Sequence, residues 1–322
     1  MTTMHRTAAA ALWVVLALSC PALSVPGAEA GDRLSDTEGD FTVLYHAGDE
    51  RPAARVLEVA ASKGREVAVR AGVDRMGPVR IYVAATADEF RELTYGGVPD
   101  WGAGCAFPDR GVIVLRNPVS VPDPLHMEDV VVHEVAHIAA GRVLGGTRVP
   151  RWFHEGMAMT LAGEWRLPIS SGLAAAGASG DLIPLGELSG GFPTGAGDAM
   201  LAYSESFYAM RFLMDAAGSA TPAEVLYGIA AAASFEEGLR GLTGRSLAEF
   251  EREAVDSFGT RFGWVVFLSR WNVLFVGLTA LLLAGGAVRL ARSRRRMREW
   301  EAEERARSEG RPREGGGSSG WN

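Results

Sequence analysis

The part of the chain that follows residue 30 alternates short apolar runs with longer stretches of helical spacing. FTVLYH (41–46), VRIYVAA (79–85) and GVIVLRN (111–117) are apolar runs with β-branched residues, which predict strands. Residues 50–73 repeat apolar positions at helical spacing, and ADEFRELTYG (87–96) begins another helix. The pattern therefore predicts an N-terminal α/β subdomain over residues 31–120, with a mixed sheet and helices.

The pattern between residues 121 and 262 is helical. Asp123 and Pro124 suit the N-cap and the first position of a helix of about twenty residues, which Gly145 and Gly146 would end. Three later segments have the Ser/Thr-x-x-Glu spacing of a capping box and predict helix starts: TPAE (221–224), SFEE (234–237) and SLAE (246–249). The predicted fold class is α+β, with the sheet first and a helical second half.

The N-terminal thirty residues have the pattern of an export signal. Arg6 supplies a positive start, residues 8–18 form an apolar core too short to span a bilayer, and Ala28-Glu29-Ala30 fits a cleavage site. Residues 1–30 are therefore predicted to be a secretory signal peptide. Lipidation at Cys20 is the minor alternative, because the ALSC run only weakly fits a lipoprotein signal.

A second apolar segment, residues 264–288, has Arg270 as its one charged residue and is long enough to cross a membrane. A buried core helix is the alternative. Six arginines between Arg289 and Arg298 favour the membrane helix and, by the positive-inside rule, place the C-terminus in the cytoplasm. The remaining tail, residues 289–322, is basic and Gly/Ser-rich, and its composition predicts disorder.

Charge and cysteine content narrow the function classes. The net charge is −7, but ten arginines and six glutamates follow residue 288, which leaves 22 basic and 33 acidic residues in the body. Such an acidic body gives no sign of nucleic-acid binding. Cleavage after Ala30 would leave Cys105 alone, predicted to be a buried residue, so the exported domain would have no internal disulfide. A signal peptide, one membrane helix and no internal disulfide together fit a bacterial cell envelope.

The stretch VVVHEVAHIAA (130–140) places two histidines and a glutamate among the apolar residues of the predicted helix. His133 and His137 lie four residues apart, on one helix face, so both imidazoles could reach one zinc ion. Glu134 is rotated by about 100° from His133 and could hold a water instead. Two ordinary core histidines are the alternative, which the uncharged surroundings disfavour, because buried polar groups need partners.

A catalytic zinc ion takes three protein ligands and keeps one position open. Glu155, in VPRWFHEGMAMTLAG, follows His137 by eighteen residues and is the candidate third ligand; an exposed helix carboxylate is the alternative. Gly156 and Ala158 would let this second helix approach the first. His154 would be either a surface residue or a substrate contact.

HEVAH, PRWFHEGMA and AYSESFYAMRFLMDAAG together resemble the peptidase MA-like group of gluzincin metallopeptidases, over about residues 40–257. The resemblance implies a zincin-like fold, one zinc ion held by His133, His137 and Glu155, and Glu134 as the general base. It also implies that residues 104–116 contain an edge strand that pairs with extended substrate. Many gluzincins carry an acidic residue shortly after the glutamate ligand to orient a zinc-bound histidine, whereas Ala158, Met159 and Thr160 stand at those positions here.

The sequence therefore predicts a membrane-anchored, extracytoplasmic zinc metallopeptidase that hydrolyses peptide or protein substrates. The oxyanion of such a reaction needs a second stabiliser. Tyr203 is the first candidate and Tyr208 the second, with helix packing as the alternative for each. The rival function is an inactive, membrane-tethered binding or assembly module; Glu134, which a structural zinc site does not need, favours catalysis.

Overall fold

A computed structural model describes residues 33–99, 101–118, 124–164, 173, 176, 181–193 and 195–309. Within these ranges, the side chains of residues 124–126, 196, 258–274, 303–304 and 306–309 are not described. The predicted signal peptide, Asp123 and the last part of the tail lie outside the described residues. The described chain divides into two compact units, one up to Gly263 and one from Trp264 onward.

A mixed five-stranded sheet forms the N-terminal part, as predicted. Its strands lie in the order β1-β2-β3-β5-β4. The central strands β2, β3 and β5 are parallel, and β1 and β4 pair antiparallel at the two edges. Their bounds are β1 Leu34–Glu38, β2 Phe41–Tyr45, β3 Val79–Ala84, β4 Gly104–Phe107 and β5 Val112–Arg116.

Helices cover both faces of this sheet, which explains why the central strand β5 is apolar and buried from Val112 to Leu115. In β5, Ile113 and Leu115 point into the main core, which also contains residues of α1 (Glu50–Ala71) and α3 (Pro124–Leu144). Val112 and Val114 point to the other face, where they pack with residues of α2 (Ala87–Leu93). The alternation fixes the register, since a slip by one residue would exchange the two faces.

The second half is helical: α4 Arg151–Ala162, α5 Leu185–Gly190, α6 Ala196–Ala216, α7 Pro222–Ala230, α8 Phe235–Thr243 and α9 Leu247–Glu309. The three predicted helix starts are confirmed. Thr221 with Glu224 and Ser246 with Glu249 form reciprocal capping boxes. Ser234 accepts the N–H of Glu237, but the Glu237 carboxylate accepts from Ala233 instead of closing the box.

An aromatic cluster anchors α4 in the core. The rings of Trp152 and Phe250 stack with centroids 5.9 Å apart, and Phe153 meets Phe235 edge-on at 5.1 Å. Trp152 and Phe153 are both fully buried. Large buried aromatic rings contribute strongly to core stability, so this cluster fixes the start of the helix that carries Glu155.

The second unit contains the one candidate membrane span found among the described residues, Phe275–Ala302. It overlaps the predicted segment 264–288, and every side chain from 275 to 288 is exposed. The expectation of disorder is wrong for residues 289–309, which continue α9. Arginine and glutamate are good helix formers, and pairs one turn apart, such as Arg295 with Glu299 at 3.0 Å, support the helix.

Candidate metal centre

Helix α3 carries the first two candidate ligands through the interior. From Val130 to Ala140 all side chains are buried except that of Val132, which is half-buried. A helix that is surrounded by protein has no polar face, and this explains why its sequence is apolar almost all round. The helix ends where predicted, before Gly145. Its histidines and Glu134 are therefore held in a water-poor setting.

His133, His137 and Glu155 converge on one point, and all three are buried. The two Nε2 atoms are 3.0 Å apart, and Glu155 Oε2 lies 3.5 Å from Nε2 of His133 and 3.4 Å from Nε2 of His137. Metal–ligand bonds of about 2.0–2.2 Å at tetrahedral angles place ligand atoms roughly 3.3 Å apart. The three atoms thus match one face of a tetrahedral coordination shell, so this group could hold a metal ion.

Glu164 supplies the histidine partner that the sequence pattern left unidentified. His133 Nδ1 donates to Glu164 Oε1 at 2.7 Å, which leaves Nε2 facing the ligand group. Gly163 makes this contact possible because it ends α4 in the left-handed conformation, at φ 77°. The N–H of Glu164 then bonds back to the carbonyl of Met159, so the carboxylate returns towards α3. In the sequence, the Gly-Glu pair directly after the predicted helix is the feature that could have indicated this partner.

The environment of His137 differs from that of His133. Its Nδ1 is buried and has no hydrogen-bond partner within the described parts of the chain. Instead, the half-buried ring of His154 stacks on it, with centroids 4.5 Å apart and planes at 11°. Burial lowers the pKa of His137 to about 4 and that of His154 to about 3. Both rings are therefore neutral near pH 7, and a neutral imidazole is the form that binds metal.

The charged groups around His133 and Glu155 counteract the effect of burial on the pKa of each. Burial disfavours a charged His133, but Glu164 and Glu155 outweigh it and raise the pKa of that imidazole well above its usual range. Burial likewise disfavours a charged Glu155, yet the adjacent imidazoles of His133 and His137 and the charge of Arg151 hold its pKa well below the usual range. The candidate third ligand is therefore an anion at neutral pH, as a metal ligand must be.

Glu134 lies beside the ligand group and is fully buried. Neither of its carboxylate oxygens has a hydrogen-bond partner among the described residues, and burial raises its pKa well above the usual range. It packs against the edge strand β4, where a Cβ atom on Gly104 would come within 2.7 Å of Glu134 Oε1. A glycine there leaves room for the carboxylate. A buried carboxylate with raised proton affinity can accept and return a proton.

Tyr203 and Tyr208 occupy different surroundings on α6. Tyr203 is buried near Glu155 and Arg151; burial and the charge of Glu155 raise the pKa of its hydroxyl well above the usual range. That hydroxyl makes no hydrogen bond of good geometry in the described chain, although the nearby Arg151 guanidinium partly opposes the rise of its pKa. Tyr208 instead shares a hydrogen bond with Ser257 at 2.7 Å and borders a separate small cavity with Leu173. Of the two candidates, only Tyr203 lies beside the ligand group.

Gly156 serves a different contact from the predicted one. A Cβ atom at this position would lie 2.3 Å from the carbonyl oxygen of Ser206, in α6. The missing side chain therefore lets α4 approach the helix of Tyr203, whereas the prediction had it approach the helix of His133.

Fold and site together define a class: helix-rich α+β proteins in which an HExxH helix and a glutamate from the next helix form a buried group able to hold a metal. The sequence model of the Peptidase MA superfamily matches residues 61–257, and the chain belongs to that family. The predicted resemblance is thus confirmed, and it indicates a peptidase-type hydrolase of a generally metal-dependent family. No curated protein matches the chain.

Proposed function

We propose that this protein is a zinc metallopeptidase of zincin-like fold, anchored in the membrane of a bacterial envelope with its catalytic domain outside the cytoplasm. The observation that carries the proposal is the convergence of three buried ligand atoms beside a buried carboxylate that has no partner in the described chain. A structural zinc site uses four protein ligands and needs no free carboxylate. The proposed ligands are His133, His137 and Glu155.

Zinc bound there would supply Lewis-acid polarisation of the scissile carbonyl and acidify a coordinated water. The residues of the chain have separate tasks. Glu134, with its raised pKa, takes a proton from the attacking water and passes it to the leaving amine. Tyr203 keeps its proton because its pKa is raised, so its hydroxyl can donate a hydrogen bond to the developing oxyanion. Strand β4, at the sheet edge next to Glu134, is the proposed docking strand for an extended peptide.

The test is the isosteric change Glu134→Gln in the full-length, zinc-loaded protein in detergent, assayed on a peptide library by mass spectrometry. Glutamine keeps the shape but cannot accept the proton, so hydrolysis should fall by about 10²-fold or more. Zinc content and melting temperature should stay nearly unchanged, because Glu134 is not a proposed ligand. Treatment of the wild type with a chelator should abolish hydrolysis.

Glu128→Gln is the matched control, since it makes the same change on the same helix at an exposed carboxylate that pairs with Arg55. This control should remain active. Equal peptidase behaviour of wild type and Glu134→Gln would reject the catalytic proposal. The inactive binding or assembly module would then be the better account of the fold.

A further inference from the structure

Arg151, on the first turn of α4, is a largely buried cation, and two of its nitrogen atoms make no hydrogen bond within the described chain. Its Nε and Nη2 atoms are buried and have no acceptor in any described part of the chain. Nη2 lies 3.5 Å from Glu155 Oε1, which is longer than a good hydrogen bond. A buried donor without an acceptor costs free energy, more so when it is charged. The arrangement therefore calls for an acceptor that is not part of Glu155.

The two partnerless atoms identify the kind of acceptor. The hydrogens on Nε and Nη2 project from the same edge of the guanidinium and form a two-pronged fork. A carboxylate matches this fork with two parallel hydrogen bonds, whereas a neutral carbonyl oxygen fills only one position. Two partnerless donors of one guanidinium, beside the metal-ligand group, therefore favour a carboxylate.

The aromatic ring of Phe192 covers the Arg151 guanidinium. Its ring lies 5.0 Å from the Arg151 guanidinium carbon and 4.8 Å from the Tyr203 ring. The ring shields the fork from water, and an ion pair in such a setting is stronger than at an open surface. Phe192 is itself partly exposed, and 14% of the Arg151 side chain remains accessible. A small rotation of that ring would uncover the fork.

We infer that Arg151 binds a carboxylate of the substrate, so that the enzyme selects peptides with an acidic group within one or two residues of the scissile bond. The inference rests on the proposed function and names its substrate class. Arg151 lies one helical turn before Glu155, about 5–6 Å at the Cβ atoms. An extended peptide advances about 3.3–3.6 Å per residue. The carboxylate therefore belongs to a residue within one or two positions of the bond, either as a free C-terminus or as an Asp or Glu side chain.

The experiment uses the full-length, zinc-loaded protein and one randomised peptide library in three forms: with a free C-terminus, with a C-terminal amide, and amidated with a glutamate near the middle. Hydrolysis is measured with the wild type, and retention on immobilised Glu134→Gln protein is measured in parallel. Wild type should favour the carboxylate-bearing forms by about tenfold or more, the scale of a charge-assisted pair. The two acidic forms distinguish a terminal carboxylate from a side chain.

Arg151→Met should abolish this preference, and Arg151→Lys, which keeps the charge without the fork, should restore only part of it. Arg148→Met, a nearby exposed arginine, is the matched control and should keep the preference. Zinc content is measured in each variant. Arg151→Met could instead lose zinc and show an equal fall in hydrolysis and retention of all three forms of the library. Arg151 would then only hold Glu155 in place, and the inference would be wrong.

Two further outcomes separate the inference from the proposed function. Retention that prefers carboxylates and depends on Arg151, without any hydrolysis, would reject the peptidase and keep the carboxylate site. Hydrolysis or retention that is indifferent to the carboxylate, or absence of both, would overturn the inference.

Discussion

Glu164 shows how much of the proposed metal affinity depends on a residue outside the recognisable motifs. Its carboxylate accepts from His133 Nδ1, and this fixes both the tautomer and the orientation of the imidazole. Gly163 and the backbone bond from Glu164 to Met159 hold the carboxylate in place. Within the described chain His137 has no such partner, so Glu164 carries the outer hydrogen bonding for the pair.

We expect Glu164→Gln to weaken zinc binding by about 10–100-fold, the usual effect of losing such a partner. The amide keeps an acceptor oxygen but not the negative charge that supports His133. Affinity is measured by competition with a chromophoric chelator. Glu187→Gln, an exposed glutamate on α5, should bind zinc like the wild type. An unchanged affinity in Glu164→Gln would show that the His133 contact does not orient a ligand.

The residues of the site were predictable to the extent that they lie on regular helices. His133, Glu134 and His137 follow from helical spacing alone. Glu155 needed the expectation of a third ligand. Arg151 and Glu164 could not be predicted, because their roles depend on how the ends of α4 are placed against α3 and α6. Tyr203 could be proposed from the sequence, but choosing it over Tyr208 required the structure, which places Tyr203 near Glu155 and bonds Tyr208 to Ser257.

At the level of elements, the contact between α4 and α6 positions Tyr203 beside Glu155. It depends on Gly156, because an added Cβ would lie 2.3 Å from the Ser206 carbonyl oxygen. That oxygen belongs to the helix backbone and cannot turn aside as a flexible side chain would. Helices this close can separate only by moving as whole elements, since packed interiors leave little free space.

Gly156→Ala should therefore lower the free energy of unfolding by about 1–3 kcal/mol, as overpacking does. Peptidase activity should fall further than stability, because the helices of Glu155 and Tyr203 are forced apart. Gly241→Ala is the matched control, since Gly241 lies in α8 with no atom within 4 Å of the added Cβ. It should stabilise the protein by about 0.5–1 kcal/mol. Urea unfolding of both variants checks the pair, and equal effects would contradict the close contact.

Strands were predictable where their faces are buried and not where they are open. β2, β3 and β5 lie within a residue or two of the predicted runs. β1 was missed because all five of its residues are exposed, and LSDTE has no apolar alternation. It is held by pairing with β2 and by the bond from the Tyr45 hydroxyl to Asp36. Gly39-Asp40, a two-residue turn that suits a β-hairpin, is the sequence feature that could have predicted β1.

At the scale of the whole molecule, the predicted topology depends on two segments at opposite ends of the chain. Residues 1–30 would direct export, and the apolar helix would stop it. Among the described residues, 275–288 are exposed and apolar, and a row of arginines follows immediately. Exposed large apolar side chains need a partner that excludes water, and a bilayer is the proposed one.

Fusion of reporters to the full chain tests this arrangement in bacterial cells. The first reporter, inserted after residue 255, should be active only as a protein that folds outside the cytoplasm. The second, fused after residue 300, should be active only as one that folds inside, because arginines near a membrane helix stay on the cytoplasmic side. Replacing the six arginines between Arg289 and Arg298 with glutamine is the control that should weaken the orientation without removing membrane association. The reverse pattern, with residue 255 inside and residue 300 outside, would overturn the extracytoplasmic location. A protein found wholly in the soluble fraction would overturn the anchor itself, while leaving the assignment of His133, His137 and Glu155 to be decided by metal content.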